Sequence, residues 1–207
     1  MNRLKRITRS WHARAGEREM TMPLNGKSEW LRQLLHLALG LFFVFLLVNF
    51  SLEDALFFSV LLLFLGGIVS ALDHAGFGIW FLQGVLKRVQ RKDEALQGQG
   101  ALFFVFGITL PLLLFHSKVP VLAGIVALTF EDSFSTLIGT RFGRHTVFGG
   151  KTLEGFFGGV LAASIALSFV LPFPFSVGIA LLAGLAEFLP INDALTIPLV
   201  SALAVSV

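Results

Sequence analysis

The sequence predicts an all-α, polytopic membrane protein with about seven transmembrane helices and one amphipathic helix at the membrane interface. Of its 207 residues, 55% are hydrophobic, and the mean hydropathy is +0.81. A soluble domain of this size could not bury so much apolar surface. The basic residues, in addition, are concentrated in the polar segments between apolar runs. The chain contains no Cys, which excludes disulfides and thiol chemistry.

Residues 1–28 are polar and basic, and we predict that they form a cytoplasmic tail that fixes the orientation of the protein. The segment lacks an apolar stretch followed by a small-residue cleavage site, so it is not a signal peptide by itself. The alternative is an arm that lies on anionic lipid. Residues 29–207 are predicted to form a single transmembrane catalytic domain.

The domain divides into seven apolar segments separated by polar or Gly- and Pro-containing turns. The predicted spans are, approximately, 30–50, 52–72, 101–115, 119–139, 153–171, 175–189 and 195–207. Between the second and third spans, residues 78–90 predict the interfacial helix, with Trp80 as its anchor and a basic end in water. Gly98 and Gly100 indicate a turn back into the membrane.

Orientation follows from the distribution of Lys and Arg. A cytoplasmic N-terminus places the segments 73–100, 139–151 and 187–193 on the same side of the membrane. Fifteen of the 16 basic residues then lie on that side, and Lys118 alone lies outside. The polar clusters of the sequence also fall on the cytoplasmic side, where nucleotides are available.

The first span begins with a polar helix face. Glu29, Arg32, His36 and Gly40 are separated by three, four and four residues, and this spacing places them on one side of a helix. Arg32 either extends its charged end to the membrane interface or belongs to a functional surface on this helix face. His36 lies deeper, and is either a satisfied buried polar group or part of the same surface.

The stretch 131–159 is the centre of the functional interpretation. It begins with two adjacent acids, Glu131 and Asp132, inside an apolar segment. Acids at membrane depth cost several kcal/mol unless they are paired, so they predict a functional site. Asp132 shares a helix face with Ser135 and Thr136.

The loop that follows carries groups suited to phosphate. Adjacent glycines allow backbone N–H groups to approach an anion, and lysine supplies a point charge. Glu187 and Asp193 form a second acidic group on the same side of the membrane. Acids for a metal beside cations for phosphate predict a metal–nucleotide site. The alternatives are that Thr152 only caps a helix, and that Asp132 is only an ion-pair partner of Lys151 or of Arg141.

We therefore expect three overlapping groups of site residues, with Mg²⁺ as cofactor and a nucleotide as cosubstrate. The catalytic group is Asp132, Lys151, His36 and Arg32. The metal ligands are Asp132, Asp193, Glu131 and Glu187. The nucleotide-binding group is Ser133, Arg144, Gly149, Gly150, Lys151, Thr152, Glu154 and Asn192.

The string GTRFGRHTVFGGKTLEGFFGG, preceded by DSFSTLIG, resembles a superfamily of membrane enzymes that use CTP. This superfamily contains two branches: the dolichol, phytol and diacylglycerol kinases, and the phosphatidate cytidylyltransferases. Three other places favour the kinase branch. They are the Glu29–Gly40 face, the Arg91 and Gly98-x-Gly100 entry to the third span, and AEFLPINDALTIPLVSAL near the C-terminus. The cytidylyltransferase signature of the type H-G-G-x-x-D-R-x-D is not present.

The resemblance implies an integral membrane kinase that transfers phosphate from CTP, with magnesium, to a lipid alcohol of the polyprenol type at the cytoplasmic face. The alternatives are a CDP-lipid synthase and a non-catalytic membrane protein or transporter. No nucleic-acid partner is expected. The chain departs from the family at Glu131, where the family has Gly, and at Ala194, where the family has Asn.

Overall fold

The computed structural model describes residues 26–77, 84, 88–90, 94–96, 98–147 and 150–207. These residues contain seven long helices and no β-strand, which confirms the all-α class. The helices are α1 (Gly26–Asn49), α2 (Leu52–His74), α3 (Gln99–Leu114), α4 (Lys118–Phe142), α5 (Leu153–Leu167), α6 (Phe173–Ala186) and α7 (Asp193–Ser206).

The helices agree with the predicted spans to within a few residues. The largest differences are four residues, at the start of α1 and at the end of α5, which ends at Leu167 rather than at 171 because residues 168–170 form a turn. The first helix begins at Gly26, three residues before the predicted domain boundary. Most of the predicted interfacial helix at 78–90 and residues 1–25 of the tail lie outside the described residues.

Three of the helices in the described part of the chain are long and apolar enough to cross a membrane. Their candidate spans are Glu29–Asn49, Leu52–His74 and Lys118–Phe142. The other four helices have between 14 and 16 residues. At 1.5 Å per residue they are shorter than a hydrocarbon core of about 30 Å. Large apolar side chains are exposed on many helix faces, as expected for a protein surrounded by lipid.

Helix α4 is the centre of the bundle. Within its span, 61% of the residues are buried, against 39% for α1 and 17% for α2. It contacts α1, α3, α5, α6 and α7, whereas α2 packs mainly against α3. Polar groups on α4 therefore meet side chains from several other helices.

Small residues allow the helices to approach α4 and each other closely. A Cβ added at Gly155 would lie 2.6 Å from the carbonyl oxygen of Ser135, and one added at Gly159 would lie 2.6 Å from Oε1 of Glu131. The Gly155-x-x-x-Gly159 spacing thus allows α5 to lie close against α4. Gly124 packs in the same way against the carbonyl of Pro198 in α7.

The two ends of the bundle differ in chemistry. At one end, Nζ of Lys118 donates a hydrogen bond of 2.7 Å to the carbonyl oxygen of Phe50, just beyond α1. Ser51 and Asp54 form a capping box at the start of α2 beside it. The first half of α1, the second half of α4, the end of α6 and the starts of α5 and α7 meet toward the opposite end, where the candidate site lies.

Candidate functional site

Three carboxyl groups converge at this end of the bundle. One oxygen each of Asp132, Glu187 and Asp193 lies within 4.8 Å of the other two. Asp132 lies on α4, Glu187 is the residue directly after α6, and Asp193 is the first residue of α7. We call these three residues the acid cluster. It contains three of the four predicted metal ligands.

Lys151 neutralises part of the acid cluster. Its Nζ lies 2.5 Å from Oδ2 of Asp193 and 3.3 Å from Oε2 of Glu187. Burial opposes the charged ammonium, but the carboxylates of Glu187 and Asp193 outweigh this effect and raise the pKa of Lys151. The side chains of Lys151 and Asp193 are 29% and 27% exposed, against 2% for Glu187. The cluster therefore opens to the exterior on the side of Lys151.

Ser135 fixes the other oxygen of Glu187. Its Oγ donates a hydrogen bond of 2.6 Å to Oε1 of Glu187. Glu187 thus contacts a hydroxyl through one oxygen and an ammonium through the other. The sequence placed Ser135 on the face of Asp132, but gave no signal for its partner because the two residues are far apart in the chain.

His36 approaches the cluster from α1. Its Nδ1 lies 3.5 Å from Oδ2 of Asp132, a distance too long for a hydrogen bond of ordinary geometry. Nδ1 is buried and has no hydrogen-bond partner, and the residue is only 5% exposed. The imidazole stacks on the ring of Phe104 in α3, with centroids 4.5 Å apart. No sequence signal identified Phe104 as a neighbour of the site.

Arg32 lies one turn before His36 and is also buried. Its guanidinium pairs with Glu29, and Nε2 of Gln33 donates a hydrogen bond of 3.2 Å to the same carboxylate. The charges of Arg32 and Lys151 both act on Asp132. The predicted polar face of α1 is therefore directed at the acid cluster, and Gln33 is a member that the sequence interpretation missed.

Glu131 does not belong to the acid cluster. Its side chain is fully buried and packs against Gly159 of α5. Consecutive residues of a helix point about 100° apart, so Glu131 faces α5 while Asp132 faces α1. Neither carboxyl oxygen of Glu131 accepts a hydrogen bond from an N–H or O–H donor, but the carboxyl of Glu187, a member of the acid cluster, lies beside it. Its predicted role as a metal ligand remains a prediction.

The loop between α4 and α5 is held by backbone hydrogen bonds. The N–H of Val147 donates to the carbonyl of Lys151 at 2.8 Å, and Thr146 and Thr152 form an isolated antiparallel bridge. Gly150 has φ of +79°, a conformation that glycine adopts without strain. The backbone of Lys151 is thereby fixed. Gly149, predicted to contact phosphate, lies outside the described residues.

The remaining predicted nucleotide-binding residues hold the helix ends and the loop. Thr152 caps α5 by accepting a hydrogen bond from the N–H of Gly155, and Asn192 caps α7 by accepting one from Ala194. Glu154 accepts a hydrogen bond of 3.2 Å from the N–H of His145 and contacts its Nδ1 at 2.7 Å. These contacts correspond to the capping interpretation of Thr152.

Ser133 and Arg144 differ in accessibility. Ser133 is fully buried and its Oγ has no hydrogen-bond partner, so it faces away from any nucleotide that enters from solvent. Arg144 is exposed in the loop between α4 and α5.

An apolar groove of about 510 Å³ lies between α1, α4 and α5. Phe130 and Phe134 are part of its wall on α4. These residues are two positions from Asp132 on either side, which turns them about 160° away from it around the helix. Helix α4 therefore separates the groove from the acid cluster.

The site residues fit a divalent cation. Carboxylate oxygens are the ligands that Mg²⁺ prefers, usually one or two from protein with the remainder from phosphate and water. The unpartnered Nδ1 of His36, directed at Asp132, is a second sign that the buried polar groups are not yet satisfied within the protein. The arrangement can hold a cation and a phosphate group side by side.

Comparison with known proteins identifies a similar archaeal chain. The chain is 28% identical to a curated protein of Methanocaldococcus jannaschii described as uncharacterized, over 184 residues that cover 86% of this chain and 93% of that protein. No family model matches the chain, and no solved structure matches it. The similarity extends over nearly the whole of both chains and brings no activity with it.

Proposed function

We propose that this protein is an integral membrane kinase that transfers the γ-phosphoryl group of CTP to the hydroxyl of a polyprenol-type lipid alcohol at the cytoplasmic face. The observation that carries the proposal is the acid cluster with Lys151 at its open side. Phosphoryl transfer requires mainly positioning and charge neutralisation. A cluster of carboxylates beside a cation, at one end of an apolar bundle, meets both requirements where a lipid hydroxyl meets a soluble nucleotide.

The choice of CTP and of a lipid alcohol depends on the resemblance of the 132–159 and 187–199 segments to the CTP-using kinases. The membrane location supports the lipid acceptor. An alcohol anchored by its apolar tail presents its hydroxyl at the interface, which is the level of a site built at the ends of apolar helices.

Asp132, Glu187 and Asp193 would hold the Mg²⁺ ion, which supplies neutralisation of the phosphate charge when it is bound. Lys151 would provide a point charge for phosphate oxygens, and Arg144, which is exposed in the loop, would contact the nucleotide. Ser135 orients Glu187. His36 and Asp132 are the two candidates to accept the proton of the acceptor hydroxyl.

We further propose that all seven helices belong to the membrane domain, with the N-terminus and the site in the cytoplasm. Alternation of the helices supports this arrangement, because it brings the ends of α1, α4, α5, α6 and α7 that carry charged residues to the same side. The four shorter helices would then cross a thinned bilayer or extend only part of the way through it.

The test is a pair of labelled reactions. Membranes that contain the protein are incubated with Mg²⁺, mixed prenols, diacylglycerol and phosphatidic acid, and CTP labelled on either the γ- or the α-phosphate. Label that enters lipid from the γ-position alone supports the kinase, and the migration of the product identifies the acceptor. Membranes that contain the Asp132→Asn variant at equal abundance provide the control.

Two other results would overturn the proposal. Label that enters lipid from the α-position, dependent on phosphatidic acid, would show a CDP-lipid synthase instead. If label enters lipid from neither position, in membranes whose protein is correctly folded, CTP is not the phosphoryl donor. ATP labelled on the γ-phosphate would then separate a different nucleotide preference from a non-catalytic protein.

A further inference from the structure

The ammonium group of Lys151 occupies the space between two members of the acid cluster. Its Nζ is 2.5 Å from Oδ2 of Asp193 and 3.3 Å from Oε2 of Glu187. The ligand oxygens of these two residues and of Asp132 all lie within 4.8 Å of one another. The Lys151 ammonium group, which the proposed function assigns to phosphate binding, therefore lies among the carboxylates that it assigns to metal binding.

We propose that Lys151 is the resident counter-ion of the acid cluster, and that a divalent cation and the Lys151 ammonium group bind the cluster in competition. The inference rests on the proposed function, and adds to it the coupling between the two ligands. In the absence of nucleotide, Lys151 holds the carboxylates together and weakens metal binding. When a nucleotide binds, its phosphates pair with the Lys151 ammonium group, which leaves the carboxylates. The acid cluster can then bind the cation.

Competition follows from the distances. A Mg²⁺ ion contacts its oxygen ligands at about 2.0–2.1 Å, so an ion shared by Glu187 and Asp193 needs the space that Nζ occupies between them. Two cations that close would also repel each other strongly, because the site is largely shielded from water on the side of Glu187. The buried Nδ1 of His36, which has no hydrogen-bond partner, lies 3.5 Å from Oδ2 of Asp132, the third member of the cluster.

The exchange requires movement of one side chain only. The carbonyl of Lys151 is fixed by the N–H of Val147, and the bridge between Thr146 and Thr152 fixes the flanking backbone. The long, unbranched side chain is 29% exposed, so part of it already lies at the surface. Nζ can leave the cluster on the side from which a soluble nucleotide enters while the loop keeps its conformation.

The experiment measures Mn²⁺ binding to the purified, full-length protein in detergent, by titration with electron paramagnetic resonance, with and without CTP and in the absence of any acceptor. Lys151→Met removes the charge and keeps most of the side-chain volume. Without CTP, the variant should bind Mn²⁺ at least about tenfold more tightly than wild type, because a competing charge in contact with two ligands is gone. CTP should tighten Mn²⁺ binding markedly in wild type and much less in the variant.

Two further variants control for other effects. Lys118→Met removes a lysine that donates to the Phe50 carbonyl at the opposite end of the bundle, and should leave Mn²⁺ affinity unchanged. Lys151→Gln keeps a hydrogen-bond donor for Asp193 and is measured in place of Lys151→Met if that variant does not elute as a single species. It should likewise bind Mn²⁺ more tightly than wild type.

Equal or weaker Mn²⁺ binding by the Lys151 variants, with clear binding by wild type, would overturn the competition and leave the proposed kinase intact. It would mean that the ammonium group and the ion bind side by side. Absence of Mn²⁺ binding in wild type and in both Lys151 variants, with and without CTP, would overturn the competition and the metal site of the proposed function together.

Discussion

Oγ of Ser135 donates a hydrogen bond of 2.6 Å to Oε1 of Glu187, a residue 52 positions later in the chain. The contact joins the central helix to the end of α6, and it leaves Oε2 of Glu187 facing Lys151. A single hydroxyl thus sets the direction of the most deeply buried carboxylate of the acid cluster.

The first prediction concerns this hydroxyl. Ser135→Ala removes the donor that holds Oε1 of the buried Glu187 carboxylate, so Mn²⁺ affinity and kinase turnover should fall about 10- to 100-fold. Ser135→Thr keeps the hydroxyl and should recover most of the loss. Isothermal titration and initial rates provide the two measurements.

Ser164→Ala is the matched control for Ser135→Ala. Ser164 is also buried, but its Oγ bonds only to the carbonyl of Val160 within the same helix. Its removal should leave turnover within about twofold of wild type. An equal loss in both variants would mean that buried hydroxyls stabilise the bundle in general and that Ser135 has no particular role in the site.

The second prediction concerns Asp132, which carries the metal assignment. Asp132→Asn has nearly the same shape and removes the charge, so turnover should fall about 100-fold or more while the protein still inserts and purifies. Turnover is measured over a range of Mg²⁺ concentrations. A variant that regains near-normal turnover at saturating Mg²⁺ would contradict the assignment of Asp132 as an essential ligand.

The helix boundaries were predictable because their signals are local. In the described part of the chain, apolar runs interrupted by Gly, Pro and charged residues located the seven helices to within a few positions, and Gly98, with φ of +76°, lies at the predicted turn before α3. The approximate position of the site was also predictable, because alternation of the helices brings the segments around Asp132, Lys151 and Asp193 to one end. Both inferences use only spacing and order along the chain.

Individual partners in the site were not predictable. The sequence offered Asp132 as an ion-pair partner of Lys151 or of Arg141, whereas Lys151 pairs with Asp193 and Glu187. Glu131 and Asp132 looked equivalent as acids, but one helical step turns Glu131 toward α5. The partner of each side chain depends on how the helices are rotated about their axes and packed against each other. No local sequence pattern predicts that rotation.

The third prediction concerns the cap of α5. Thr152 accepts a hydrogen bond of 3.1 Å from the N–H of Gly155 and lies directly after Lys151. Thr152→Ala should lower the free energy of unfolding by about 1 kcal/mol, and Thr152→Ser should retain most of it. Thermal unfolding in detergent is the measurement. If Thr152→Ala leaves stability unchanged but weakens CTP binding, Thr152 contacts the nucleotide, as the sequence interpretation expected.

The fourth prediction concerns the contact between α4 and α5. A Cβ at Gly159 would lie 2.6 Å from Oε1 of Glu131, 2.9 Å from Cβ of Ser135 and 3.0 Å from the carbonyl oxygen of Glu131. The carbonyl oxygen of Glu131 is a backbone atom and Cβ of Ser135 is bonded to the backbone, so neither can move away unless the helix shifts. Gly159→Ala should therefore destabilise the protein by about 1–3 kcal/mol through overpacking.

Gly178→Ala provides the matched control for Gly159→Ala, since a Cβ at Gly178 in α6 meets no atom within 4 Å. That variant should be as stable as wild type or slightly more stable, because Ala favours the helix relative to Gly. Unfolding in detergent by heat is measured for both variants, together with turnover. Because Gly159 packs against the helical turn that carries Asp132 and Ser135, its variant should lose turnover as well as stability. Full turnover in a destabilised Gly159→Ala protein would show that the acid cluster keeps its geometry when α5 moves away from α4.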